Sequence, residues 1–86
     1  MKINKKITSI LDMPKEVMLD YPKITVMGEE SVIVENHTGL IELSQTVIRL
    51  NTKLYLLKIS GENLDIKSIS QDDMEIVGKI TGVTMS

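Results

Sequence analysis

The residues able to do chemistry are few and scattered. His37 is the single histidine and the chain has no cysteine, so the usual imidazole and thiolate ligands of a zinc site are missing. Glu35 and Glu42 lie close enough in sequence to add oxygens to His37, yet Asn36-His37-Thr38-Gly39 reads as a turn between two strands. An ordinary turn histidine is therefore expected. Asp72, Asp73 and Glu75 form an acidic cluster without the spacing of a calcium loop, and a solvated turn explains it. No serine sits in a G-x-S-x-G context, and Gly78-Lys79-Ile80-Thr81-Gly82 lacks the spacing of a phosphate loop. Those glycines fit strand edges around a bulge or bend. Asn36-His37-Thr38 matches a glycosylation acceptor, but no secretory signal accompanies it. The expectation is a protein with no catalytic residues, no metal and no cofactor.

The elements that hold these residues change character near Pro22. Before it, Ile3, Ile7, Ile10 and Leu11 recur at helical spacing, with Lys2, Lys5 and Lys6 on the other side. Pro14 interrupts the pattern and suits the first turn of a second short piece through Val17, Met18 and Leu19. Residues 1–22 are thus predicted as a short helical segment, and residues 23–86 as an all-β domain. The β part reads as eight short runs: Lys23–Met27, Ser31–Glu35, Leu40–Leu43, Thr46–Leu50, Leu54–Ser60, Leu64–Ile69, Met74–Val77 and Lys79–Thr84. Gly28, Asn36, Gly39, Gly61 and Asn63 supply turn chemistry between them. This spacing predicts a mainly β fold, an antiparallel β-roll or sandwich of about eight strands, with a β-solenoid-like stack as the alternative.

Composition narrows the function classes. Eighty-six residues suit one domain with a modest core. Tyr21 and Tyr55 are the only aromatic residues, so aliphatic side chains must carry the burial. A formal net charge of −2 argues against nucleic acid as a partner. No apolar run is long enough to span a bilayer, and the expected location is the cytoplasm. Lys2, Lys5 and Lys6 offer a weak contact with an anionic membrane surface, which keeps a peripheral membrane or small-ligand binder as a rival reading.

Several runs are apolar on both faces. Val32-Ile33-Val34 and Leu54, Leu56 and Leu57 break the alternation expected of a sheet with one wet face. Either two layers cover these strands, or part of the surface meets another chain. Val32, Val34, Leu54 and Leu56 are the candidate contact residues for self-association through strand edges or faces.

Two longer segments carry a resemblance. Leu19-Asp20-Tyr21-Pro22-Lys23-Ile24-Thr25-Val26-Met27-Gly28 with Val34-Glu35-Asn36-His37-Thr38-Gly39-Leu40-Ile41-Glu42-Leu43, and Ile59-Ser60-Gly61-Glu62-Asn63-Leu64-Asp65-Ile66-Lys67, resemble the YqfC branch of the YabP/YqfC sporulation proteins. Arg49-Leu50-Asn51-Thr52 and the closing Gly78-Lys79-Ile80 are similar as well. The resemblance implies a part in endospore envelope development, no catalytic residues, and a membrane protein of sporulation as a partner.

Overall fold

The structure is a computed structural model that describes residues 21–86. The helical segment expected over residues 1–22 lies outside them, apart from Tyr21 and Pro22, which take no regular structure. Six strands follow: β1 Lys23–Met27, β2 Ser31–Glu35, β3 His37–Leu43, β4 Val47–Thr52, β5 Leu56–Ile69 and β6 Asp73–Met85. They form one antiparallel sheet in the order β1-β2-β6-β5-β4-β3. The antiparallel ladders replace the solenoid alternative, whose stacked coils run parallel.

Six strands stand where eight were expected because two turn-like segments do not reverse the chain. Leu64–Ile69 fuses with the run before it into β5, and Met74–Val77 with Lys79–Thr84 into β6. Across Gly61-Glu62-Asn63 the ladder continues: Gly61 pairs with Ile80 and Glu62 with Lys79, then the register shifts to Asp65 opposite Val77. Asn63 has a φ of 54° and Gly78 one of 136°. Positive φ serves a bulge as readily as a turn, and the bulge bends both strands without ending them.

The connection between β2 and β3 dictates the shape of the sheet. The two strands stand second and sixth in the order, which in a flat sheet is four spacings, roughly 19 Å. Asn36 alone joins them, and two residue steps reach at most about 7 Å. The sheet must therefore roll until its two flanks meet at Asn36. That residue turns the chain with a φ of 66°, and its side-chain amide donates to the Tyr21 carbonyl at 2.9 Å. The His37 N–H then donates to the Asp72 carbonyl at 3.0 Å, tying the corner to the tip of the β5–β6 hairpin.

Rolling covers one face of the sheet with the sheet's own other flank. On one flank Val32 lies opposite Ile76 and Val34 opposite Met74; on the other Ile48 lies opposite Ile59 and Leu50 opposite Leu57. Leu64 and Ile80, at the bend, join both sets into one core of buried residues. Each contributes roughly 1.5–3 kcal/mol. Val32 and Val34, expected as contact residues, have no exposed surface. Their side chains face the chain's own core, and nothing of them remains for a second chain.

The bend brings backbones too close for a side chain. A Cβ on Gly61 would sit 2.0 Å from the Lys79 carbonyl oxygen, and one on Gly78 2.7 Å from that of Asn63. Gly82 has ordinary room, its nearest neighbour being the Ser60 Cβ at 4.0 Å. Gly61→Ala is expected to lose about 3 kcal/mol or more in urea unfolding, while Gly82→Ala loses under about 1 kcal/mol. Similar small losses for both would show that the hairpin does not need this close approach.

Candidate interaction surface

Among the described residues the rolled sheet does not close: β1 and β3 are its edges and do not pair with each other. Directly opposed residues of an antiparallel pair share a face of the sheet, so partners reveal where the edge residues point. Leu40 lies opposite the buried Leu50 and Leu43 opposite the buried Ile48, which puts both on the core side. They are nevertheless 38% and 55% exposed, because no layer among the described residues covers them there. On β1, Val26 lies opposite Val32 and Ile24 opposite Val34. Ile24 packs against the core, while Val26 is 50% exposed. Among the described residues the apolar lining of the roll thus runs out to both edges, where Val26, Leu40 and Leu43 are exposed.

The outer face is polar and tied together. Arg49 on β4 donates to Glu42 on β3. Both side chains are substantially exposed, so the pair adds little stability and mainly sets the charge of that edge. Ser31 Oγ donates to Glu75 Oε2 at 3.0 Å, and Lys67 Nζ stands 4.0 Å from the same oxygen. The amide of Asp73 donates to Ser70 Oγ at 3.1 Å, and its carbonyl accepts from the Ser70 N–H at 2.8 Å. Among the described residues no three groups converge to hold a metal ion.

Of the four expected contact residues, Leu54 is exposed in the β4–β5 turn and Leu56 is half-buried on β5. Thr52 Oγ1 holds that turn, accepting from the Leu54 and Tyr55 amides at 3.2 and 2.9 Å and donating to the Tyr55 carbonyl at 2.6 Å. Lys2, Lys5 and Lys6 lie outside the described residues. Sequence reasoning missed the edge residues Val26, Leu40 and Leu43. Their signal is alternation with the buried strands beside them, and register shifts between His37 and Gly39 and between Leu40 and Glu42 break it in β3.

His37 is not the turn residue expected. It opens β3 opposite Thr52, and its ring is buried with neither nitrogen hydrogen-bonded. A cleft of about 280 Å³ lies at this corner, lined by Asn36, His37, Thr38, Lys53 and Asp72. Since both nitrogens are sealed from solvent, the imidazole serves the corner as volume.

A family model described as the YabP family matches residues 20–86, which takes in every strand of the sheet. The chain belongs to the YabP family. Over 74 residues it is 38% identical to a Bacillus subtilis (strain 168) protein named "Uncharacterized protein YqfC", covering 86% of this chain and 80% of that one. No solved structure matches it. The family match includes the Asn36 corner and the Gly61–Asn63 bend, so the residues that shape the roll all lie within the family's shared region.

An unpaired buried imidazole carries a desolvation cost that an aliphatic side chain of similar size avoids. His37→Leu is expected to leave the fold intact and to raise stability by about 1 kcal/mol in thermal unfolding. A loss of about 2 kcal/mol or more would mean that the ring makes a bond that Leu cannot replace.

Proposed function

We propose that this YabP-family chain has no chemistry of its own and works as an assembly module in endospore formation, in the cytoplasm of the sporulating cell. It joins other chains, its own copies first, through the open edges of its sheet. The carrying observation is the uncovered core-side face at those edges: Val26 on β1 and Leu40 and Leu43 on β3 continue the buried rungs and end in solvent. Unpaired strand edges template the addition of another strand, with backbone bonds giving affinity and alternate side chains giving specificity. Family membership supports the link to sporulation. Among the described residues no helix is long and apolar enough to cross a membrane.

Absolute mass by light scattering after size exclusion, over a wide concentration range, tests this reading. The mass is expected to climb above that of a single 9.6 kDa chain as concentration rises. Leu43→Lys, which puts an inward-pointing charge on the β3 edge, should return it to a monomer while the far-UV circular dichroism stays that of a β protein. A wild-type mass equal to one chain at every concentration would sink self-assembly.

A further inference from the structure

We propose that the β3 edge of one copy pairs antiparallel with the β1 edge of the next, so that copies join head to tail into an open-ended row. This rests on the edge-association reading above and goes further by fixing which edge meets which. The first argument is the match of the core-side rungs. With Leu40 opposite Val26 and Leu43 opposite Ile24, both leucines meet apolar residues of the same face. The sheet of one copy then runs on into the next, Ile48 and Leu43 continuing into Ile24 and Val34. The count works only because β3 carries its register shift between Leu40 and Glu42. Ile41 and Glu42 together face Thr25, as two residues face one across a β-bulge. Without that extra residue, Leu43 and Ile24 would point to opposite sides.

Charge provides the second argument. In this register Glu42 stands on the outer face directly opposite Thr25, with Lys23 two residues along on the same face. That diagonal is within reach of a long side chain, and Arg49 completes a row of alternating sign beside Glu42. Pairing β3 with a second β3 fares worse. Matching Leu40 to Leu43 in both directions sets each Glu42 opposite the other copy's Ile41, with the two carboxylates side by side. Like charges placed so are destabilising. The two edges thus suit each other better than β3 suits itself. A contact between two different patches generates rows that do not close.

Two variants separate this pairing from other forms of association. Val26→Lys spoils the β1 edge and leaves β3 intact; Leu43→Lys does the reverse. Each alone is expected to show the mass of one chain at concentrations where wild type is at least twofold heavier. An equimolar mixture should form a species of two chains and nothing larger, because one intact β3 meets one intact β1. If either lysine variant fails to fold by circular dichroism, Val26→Ser and Leu43→Ser remove the apolar contact without adding charge. A single variant that still dimerises alone, or a mixture that stays monomeric while wild type associates, overturns the head-to-tail pairing and leaves edge association standing. A wild type that never exceeds one chain overturns both.

Discussion

A sheet with an apolar face needs a second layer, and among the described residues that layer is the other flank of the same sheet. The constraint explains most of the fold. The flanks can meet only if β5 and β6 bend sharply, and the bend needs two backbones nearly in contact at Gly61 and Gly78. Asn36 then joins β2 to β3 in a single residue, which fixes how far the roll must close. With Val32, Val34, Ile48, Leu50, Leu57 and Ile59 wholly buried, the core reaches dense aliphatic packing without any Phe or Trp. Dense packing of branched side chains tolerates little movement, so bend, corner and core hold one another in place.

A roll that stops short of a barrel leaves a residue of this problem at its edges. Natural sheets blunt their edges with charge, bulges or short strands, and all three occur here: Lys23 on β1, the register shifts of β3, and a β1 of only five residues. These devices limit promiscuous pairing without covering the core-side faces of Val26, Leu40 and Leu43. An edge that is guarded but still apolar suits pairing with one complementary strand better than it suits indiscriminate aggregation. In the same way, under the proposed pairing the shift in β3 that hides its alternation would make it selective, because only a partner that accommodates two residues against one can keep both leucine rungs.

Much of this was legible in the sequence, and the failures share a cause. Short β-prone runs and turn residues located β1 and β2 to the residue. The two-sided apolarity of Val32-Ile33-Val34 asked for cover on both faces, whereas the roll covers only the face of Val32 and Val34 and leaves Ile33 half-buried on the other. Gly61-Glu62-Asn63 and Gly78 carry the signature of a turn, and the same signature marks a bulge in a continuous strand. Eight runs therefore became six strands. His37 went astray for a related reason: an Asn-His-Thr-Gly string reads as a loop, whereas Asn36 takes the whole turn on its own backbone and leaves His37 to start a strand. Each miss falls where a positive-φ residue bends the chain without reversing it.

The same positions carry the resemblance that the sequence showed most distinctly, Glu35-Asn36-His37 with Gly39 and Gly61-Glu62-Asn63-Leu64. They mark the geometry of a roll, and this bears on what the protein does. Residues that fix a corner and a bend also fix where the two edges lie and which side chains they present. Association through those edges would bury apolar surface that a chain of this size has trouble covering alone. Folding and association then become linked by mass action, each copy that pairs making its neighbour's fold more stable. Under the proposed association, the shape of the roll would determine what the chain can be joined to.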